Sequence, residues 1–308
     1  MNKFLEKVVG PVIPIPTPFT ANEEVDYAAL STYVDYLVSH GIKNIMTTVG
    51  TSRFNLLTDE EIKKVNQTIV EAAKGKAITM VANPITGGTR NTIAHAKHAE
   101  EIGADLFLVY FPERYYGEDN TYEYFRLIAE SVKMGILIHE MPMRNGYGGP
   151  AVQYSLKLLE KLLIIENIVG LKEEALDAEY SNYLVEALSE KAVIIGAGGG
   201  MSRYFERDFA RGSKAFLGGI GGFVPALELS FFEYLTRGQK EKAEKIVREI
   251  EKIYFEKVVP VGWHPSLKRA LALKELLPKY ERAPMKMLNE NEESIVRKEL
   301  EKHNWLYI

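Results

Sequence analysis

The sequence predicts an α/β protein, a (β/α)8 TIM barrel followed by a C-terminal helical extension. Short apolar, β-branched runs alternate with longer amphipathic stretches, each pair takes about 30 residues, and we count eight such runs. Eight units within roughly 225 residues match a closed barrel. A doubly wound sheet usually has fewer strands and needs a point where the strand order reverses. We therefore expect a barrel at residues 1–224 and a helical region at residues 225–308.

The eight apolar runs are the predicted strands. They are Val12–Pro18, Asn44–Val49, Ile78–Pro84, Leu106–Phe111, Gly135–Met141, Ile168–Glu173, Ala192–Gly198 and Lys214–Ile220. Helical patterns separate them, such as Asp26–Ser39, Asp59–Ala73, Arg90–Ile102 and Thr121–Val132. The connections are short enough for neighbouring elements of one compact domain.

After Pro225 the alternation stops, and helices are expected near residues 225–236, 238–257, 264–275 and 291–303. The second of these carries its apolar residues on one face and charged pairs on the other. The apolar residues are Ala243, Ile246, Val247, Ile250 and Ile253. We expect this face to pack against the barrel or against another subunit.

Composition limits the possible partners and compartments. The 308 residues carry a net charge of -4 with Lys and Arg scattered among Asp and Glu, so a basic surface for nucleic acid is not expected. The absence of Cys excludes disulfides and thiolate chemistry and fits a reducing compartment. The N-terminus lacks the apolar run of a signal peptide, and the apolar stretch Ala215–Phe232 is interrupted by glycines, Pro225 and Glu228. We expect a cytoplasmic protein with no membrane partner.

Two glycine clusters and a histidine pair invite binding hypotheses. Gly196–Gly200 resembles a dinucleotide loop, but Met201 replaces its third glycine. The glycines near Gly219 follow the eighth strand, where some barrels bind phosphate and where tight packing is the alternative. We expect Gly219 and Ile220 to contact substrate. His95 and His98 have a spacing common on helix surfaces, and no metal site is expected there.

Lys172 is the strongest catalytic candidate. It follows the apolar run Ile168–Leu171, which carries its ammonium to the barrel mouth, where active sites of this fold lie. A lysine attacks a carbonyl as the neutral amine, and apolar surroundings favour that form. An ion pair with Glu173, Glu174 or Glu140 is the structural alternative. Position alone leaves both open.

Two further loops supply polar groups. Gly50, Thr51 and Ser52 place hydroxyls and backbone N–H groups in a turn that suits a carboxylate, although such residues also cap helices. After the fifth strand, His139 titrates near neutrality and Arg144 has a fork that suits a second carboxylate. A buried ion-pair network of Arg144 with Glu140 or Glu173 is the alternative.

The tyrosines around the exit of the fourth strand have an open role. Tyr110, Tyr115 and Tyr116 can stack on a substrate or donate protons to it. Aromatic side chains in such a place also pack subunits together. We expect Tyr110 among the substrate-binding residues.

Five motifs in order resemble the family of dihydrodipicolinate synthase and N-acetylneuraminate lyase over nearly the whole chain. They are TPF at Thr17–Phe19, GTS at Gly50–Ser52, P-x-R-x-G at Pro142–Gly146, GLKE at Gly170–Glu173 and HPSLK at His264–Lys268. The resemblance implies that Lys172 forms a Schiff base and that Thr51 and Ser52 bind the keto-acid carboxylate. It implies for Arg144 the role of an arginine that holds the aldehyde's carboxylate in the synthases and that sialic acid lyases generally lack.

Three positions depart from the family pattern. His139 stands where the family usually has a proton-relaying tyrosine, so a histidine is expected to take over this role. Arg53 and Phe54 replace the usual Gly-Glu, in a loop closer to the sugar-acid dehydratase branch, and Arg53 is expected to add positive charge at the mouth. Tyr115 or Tyr116 matches the family's fourth-loop tyrosine only loosely.

The leading hypothesis is a class I lyase acting on a pyruvate-like 2-keto acid or a 2-keto-3-deoxy sugar acid. Lys172 forms the imine without a cofactor or metal, His139 moves protons, and Thr51 and Ser52 hold the carboxylate. Arg144 and Arg53 would favour an acidic or polyhydroxy second portion. Family membership would also imply a homotetramer or homodimer.

Two alternatives stay open at this point. A metal-dependent barrel lyase would use His139, Glu140 and Glu173 as ligands. A keto-acid-binding protein would keep the fold and have lost turnover through the histidine replacement.

Overall fold

The computed structural model describes residues 2–84, 88–111, 114–141, 143–144, 151–175 and 177–307, with only the backbone described at 143, 144 and 151. Within these ranges, eight parallel strands close into a barrel in the order β1-β10-β9-β8-β5-β4-β3-β2. They are β1 (Gly10–Pro14), β2 (Asn44–Thr47), β3 (Ile78–Ala82), β4 (Leu106–Val109), β5 (Gly135–Glu140), β8 (Ile168–Glu173), β9 (Val193–Gly196) and β10 (Ala215–Leu217). A two-stranded ribbon, β6 (Met143–Arg144) with β7 (Ala151–Val152), follows β5. The predicted barrel is confirmed.

The helices follow the predicted alternation. They are α1 (Tyr27–Ser39), α2 (Asp59–Ala73), α3 (Thr89–Glu101), α4 (Glu118–Ser131), α5 (Leu156–Leu162), α6 (Ala178–Leu188), α7 (Gly200–Arg203), α8 (Pro225–Thr236), α9 (Lys240–Ile246), α10 (Lys252–Lys257), α11 (Trp263–Leu273) and α12 (Glu290–Lys302). π-helical turns at Val247–Glu251 join α9 to α10. Helix α2 shows why local sequence suffices for some boundaries: Thr58 and Glu61 form a reciprocal capping box.

The barrel interior is filled by one layered cluster of apolar side chains. It includes Val12, Met46, Met80, Leu108, Leu137 and Ile195, and Phe4 and Val8 of the N-terminal segment join the same cluster. Side chains alternate along each strand, so the residues between these point outward and pack under the helices. The polar ends of the strands lie above this packed core, and the site is therefore confined to one mouth.

The C-terminal helices pack directly on the barrel. A single buried cluster joins Ile13 and Phe216 of the strands to Leu267 and Leu271 of α11, and Trp305 near the C-terminus belongs to it. The apolar face predicted for α9 also enters this cluster through Ala243 and two neighbours. The barrel and helical region therefore share apolar core, while their division into two domains at residue 224 stays a prediction.

None of the helices in the described ranges combines the length and apolarity that crossing a membrane requires.

Candidate active site at the barrel mouth

Two neighbouring strands bring the central candidates together. In the parallel pairing of β5 with β8, His139 lies opposite Lys172 and Glu140 opposite Glu173. Because side chains alternate along a strand, His139 and Lys172 point into the barrel while the two glutamates point outward. Lys172 is 2% exposed and His139 is 3% exposed, so both lie at the bottom of the mouth.

A cavity of about 470 Å³ opens above Lys172. Its wall includes Val49, Gly50, Thr51, Phe54, Tyr110, His139, Met141, Glu174, Gly198, Gly199, Gly200, Leu217, Gly218, Gly219, Phe255, Trp263 and His264. The last three belong to the C-terminal helices, and the rings of Phe255 and Trp263 stack with 5.6 Å between their centroids. The helical extension therefore forms part of the site.

Three polar atoms meet at the bottom of the cavity. The Nζ of Lys172 lies 2.7 Å from the Nε2 of His139. The Oε2 of Glu174 lies 2.9 Å from the same Nε2 and forms an ion pair with Nζ. The ion-pair alternative for Lys172 is therefore present in the structure, with Glu174 as the partner, and both residues line the cavity.

The charges of this cluster follow from its surroundings. Burial, and then the positive charge of Lys172, lowers the pKa of His139 to about 4. Burial alone would raise the pKa of Glu174, but the charge of Lys172 and the hydrogen bond with His139 hold it below its usual range. At neutral pH, His139 is therefore a neutral imidazole and Glu174 a carboxylate.

The outward-facing glutamates are engaged elsewhere. Glu140 accepts hydrogen bonds from the Tyr180 hydroxyl at 3.2 Å and from a backbone N–H, and burial raises its pKa well above its ordinary value. Glu173 is ion-paired with the guanidinium of Arg203. The ligand set of the metal hypothesis is therefore not assembled, and the described part of the chain holds no group of three or more metal-binding residues.

Only some residues of the turn after β2 line the cavity. Gly50 and Thr51 line the cavity. Ser52 is fully buried behind them, and its carbonyl oxygen accepts a hydrogen bond from the Thr17 hydroxyl at 2.6 Å. Of the two hydroxyls expected to hold the carboxylate, Thr51 is therefore the one at the cavity wall.

Arg53 does not lie where the sequence led us to expect it. Arg53 is 5% exposed, and its backbone is left-handed with φ 59°. Its Nη2 lies 2.9 Å from the Oε1 of Glu281. Lys268 shares this partner, with 3.6 Å from Nζ to Oε2. The C-terminal segment thus supplies an ion-pair partner for a charge expected at the mouth, and Arg53 does not line the cavity. The charge of Arg53 still influences the cavity wall. The pKa of His264 is lowered to about 4, mainly by burial and in addition by the charge of Arg53.

Tyr110 is the tyrosine of the fourth loop that reaches the cavity. Its ring meets His139 edge-on at 4.5 Å between centroids, and its hydroxyl is hydrogen-bonded with the backbone of Gly50. Burial first, and then the charge of Glu174, raises its pKa, so it is a neutral phenol. Tyr115 packs against Phe111, and Tyr116 is 66% exposed. Neither of these two lines the cavity.

A buried carboxyl group accepts backbone N–H hydrogen bonds at or directly after each glycine loop. Gly219 and Gly221 donate to the Oε1 of Glu228 at 2.7 and 2.8 Å. Met201 donates to Glu251 at 2.8 Å, and a Cβ at Gly200 would meet Glu251 at 2.3 Å. The phosphate and dinucleotide alternatives are therefore not supported, because carboxyl groups of the chain itself fill these positions. Gly219 still lines the cavity, whereas Ile220 is buried in the apolar core.

Two sets of predicted residues lie away from this centre. The backbone of Arg144 is in the ribbon, paired with Ala151, while its side chain and the flanking Pro142 and Gly146 lie outside the described residues.

His95 on α3 contacts Asp59 at 3.7 Å, in the packing of α3 against α2. His95 is 4% exposed, so it is a buried packing residue and not the surface residue that the spacing suggested.

Sequence reasoning did not predict much of the cavity wall, including Glu174, Phe255, Trp263 and His264. Glu174 appeared only as an ion-pair alternative for Lys172, and Phe255, Trp263 and His264 come from a helical region that was assigned no role in the site. His264 carried one signal, since it opens the motif at His264–Lys268. The others had none, because only the fold brings the extension over the barrel mouth.

Comparison with known proteins agrees with this architecture. The chain matches the model of the Dihydrodipicolinate synthetase family over residues 7–303. An uncharacterized DapA-like lyase of Pyrococcus horikoshii is 28% identical over 251 residues, which are 79% of this chain and 82% of that protein.

Solved structures are similar over almost the full length. Dihydrodipicolinate synthase from Aquifex aeolicus is 26% identical with a TM-score of 0.81, covering 96% of this chain and 98% of that one. N-acetylneuraminate lyase from Mycoplasma synoviae has a TM-score of 0.85 over 97% and 99% of the two chains. The second is only 21% identical, so it shows the shared fold alone.

Proposed function

Because the chain belongs to the dihydrodipicolinate synthetase family, we propose that it is a class I lyase that binds a 2-keto acid as an imine on Lys172. The substrate is a pyruvate-like 2-keto acid or a 2-keto-3-deoxy sugar acid. The imine forms on a residue of the chain, so the reaction needs no separate cofactor.

The observation that carries the proposal is the contact of 2.7 Å between the Nζ of Lys172 and the Nε2 of His139. Imine formation requires a neutral amine, followed by proton transfer to the oxygen that leaves as water. A neutral imidazole beside the amine can accept and return these protons. The pKa of His139, lowered to about 4, keeps the ring in the neutral form at physiological pH.

The cavity wall supplies the remaining groups. Thr51 offers a hydroxyl near the turn of Gly50, where the keto-acid carboxylate can be held. Tyr110 has a neutral phenol that packs on His139 and fixes its ring. Arg144 is proposed, from the family resemblance, as the residue for a second acidic group. Arg53 is left out of the substrate contacts because Glu281 already pairs with it.

The cavity also accommodates a second substrate portion. Its volume of about 470 Å³ leaves space beyond a three-carbon keto acid. Phe255, Trp263 and His264 border that space. An imine on Lys172 stabilises the carbanion needed for aldol cleavage, aldol condensation and dehydration, so one site can serve each of these reactions.

Turnover assays test this function. We would incubate the protein with a series of 2-keto-3-deoxy sugar acids, measure pyruvate release with a coupled dehydrogenase, and follow dehydration by mass spectrometry. We expect one of these activities, and Lys172→Ala should abolish it. Imine formation without product from any substrate would favour the binding-protein alternative, and turnover retained in Lys172→Ala would contradict the proposal.

The assembly and the compartment are part of the proposal. We propose a homotetramer or homodimer in the cytoplasm, without nucleic acid or membrane partners. Family resemblance supports the assembly, and the absence of Cys supports a reducing compartment. Light scattering coupled to size-exclusion chromatography measures the assembly directly.

A further inference from the structure

Glu174 is the carboxylate closest to the reactive amine. Its backbone N–H, one residue beyond β8, donates to the carbonyl of Glu140 at 2.8 Å, which fixes where the side chain starts. Gly198 lies beside this side chain, since a Cβ there would be in ordinary contact with the Cγ of Glu174 at 3.7 Å. The carboxylate then reaches both Lys172 and His139. The backbone hydrogen bond to the neighbouring strand therefore fixes the start of the side chain that carries this carboxylate into the cavity.

The contacts of His139 limit where protons can lie. Nε2 faces both the Oε2 of Glu174 and the Nζ of Lys172, yet it has one position for a proton. With a proton it donates to Glu174; without one it accepts from Lys172. The other ring nitrogen, Nδ1, is buried without a partner among the described residues. A proton that moves between Lys172 and the His139 ring therefore changes which hydrogen bonds are donated to the carboxylate of Glu174.

Other carboxylates cannot take this place. Glu173 is ion-paired with Arg203, and Glu140 is bound by Tyr180 on the outer side of the strand. Among the described residues, Glu174 is the only one that forms an ion pair with Lys172. The titratable groups that face it are Lys172, His139 and, through its charge, Tyr110.

We propose that Glu174 is a catalytic residue of this chain: its carboxylate is the counter-ion of the Lys172 nitrogen, both as ammonium and as protonated imine. This inference rests on the proposed function. The ammonium and the keto group combine to give the protonated imine and one water. A C–N bond forms, the C–O bonds break, and two of the three ammonium protons leave on the oxygen through His139. The nitrogen carries one positive charge as ammonium and again as protonated imine, opposite the negative charge of Glu174, and the neutral amine that attacks the keto group lies between these two states.

The test compares variants that separate charge from shape. Glu174→Gln removes the charge at nearly constant volume, and Glu174→Asp keeps it. Glu140→Gln is the matched control, because it changes a buried carboxyl on the neighbouring strand that faces away from the cavity. Each protein is incubated with pyruvate and cyanoborohydride between pH 5 and pH 9, and the initial rate of the reduced adduct is measured by intact mass.

We expect the pH profile of Glu174→Gln to move to lower pH by about one to three pH units. Loss of an anion disfavours the positively charged form of the nitrogen by this amount. Glu174→Asp should stay near the wild-type profile even if its rate is lower, and Glu140→Gln should match wild type. Glu174→Ala provides the same neutral test if the Gln variant does not fold.

Two results would overturn the inference. Both can be distinguished from a result that contradicts the proposed function. A wild-type profile in Glu174→Gln and Glu174→Ala would remove the counter-ion role while leaving Lys172 as the imine residue. An equal shift in Glu174→Asp would show that shape and not charge is responsible. By contrast, absence of any adduct in wild type and in Glu140→Gln would contradict the proposed function itself.

Discussion

His139 and Lys172 lie opposite each other in the parallel pairing of β5 with β8, with 2.7 Å between Nε2 and Nζ. They are 33 residues apart in sequence, and the strand register fixes their approach. Side chains on adjacent strands of a closed barrel have little freedom to move apart. The proposed base is therefore positioned by the scaffold before any substrate binds.

Replacing the histidine tests its assigned role. We expect His139→Phe to lower kcat by about 10²–10⁴-fold, the usual contribution of a general acid or base, with a smaller change in pyruvate binding. Steady-state kinetics and the pyruvate Kd measure the two effects. His98→Phe, on α3 outside the cavity wall, is the control. An unchanged kcat in His139→Phe would strip this residue of its role.

The unequal placement of two hydroxyls predicts unequal effects. Thr51 lines the cavity, and Ser52 is buried behind it. Thr51→Val should raise the Kd for pyruvate about tenfold, since one hydrogen bond to a charged group is lost at constant volume. Ser52→Ala should change the Kd less. Isothermal titration compares the two variants, and a larger effect at Ser52 would refute the proposed carboxylate position.

The buried charges around Glu281 predict an order of stabilities. Glu281→Gln leaves Arg53 and Lys268 buried without their carboxylate and should cost about 3–5 kcal/mol of unfolding free energy. Arg53→Met should cost less, because Lys268 still faces Glu281. Urea denaturation at a fixed protein concentration measures both values. If Arg53→Met left stability unchanged and instead raised KM strongly, Arg53 would belong to the substrate site after all.

The buried carboxyl of Glu228 predicts a pH-dependent stability. Burial raises its pKa from 4.5 to about 7 in the folded protein. Between these values the unfolded chain releases the proton and the folded chain keeps it, so the unfolding free energy falls as pH rises from about 4.5 to about 7. The loss is on the order of 3 kcal/mol.

Glu228→Gln removes this titration while an amide oxygen can still accept from the N–H groups of Gly219 and Gly221. The difference between wild type and variant should therefore change between pH 4.5 and pH 7 and level off above that range. Urea denaturation at several pH values tests it. Parallel pH curves for the two proteins would show that Glu228 has no raised pKa.

The sequence predicts the barrel well because its signals are local. Alternation of apolar runs marks each strand, and the capping pair of Thr58 and Glu61 marks a helix start. Lys172 and His139 were predicted as site residues for the same reason. Both stand at the C-terminal ends of strands, and every such end meets at one mouth.

Long-range contacts explain what the sequence does not predict. The partner of Arg53 lies 228 residues away in the C-terminal segment, so this ion pair leaves no local pattern in the sequence. Glu228 and Glu251 reach the two glycine loops from helices that follow the barrel, and no local pattern in the loops predicts these contacts. Glu174 sits one residue beyond a strand, where alternation no longer tells which way a side chain points.

Trapping the imine would show whether Lys172 reacts covalently with a 2-keto acid. Wild-type protein is incubated with pyruvate, reduced with borohydride, weighed by intact-mass spectrometry and mapped by peptide analysis, with Lys172→Ala in parallel. We expect one reduced pyruvate adduct per chain, on Lys172, and none in the variant. No adduct with pyruvate or with larger 2-keto acids, or an adduct on another lysine, would contradict this expectation.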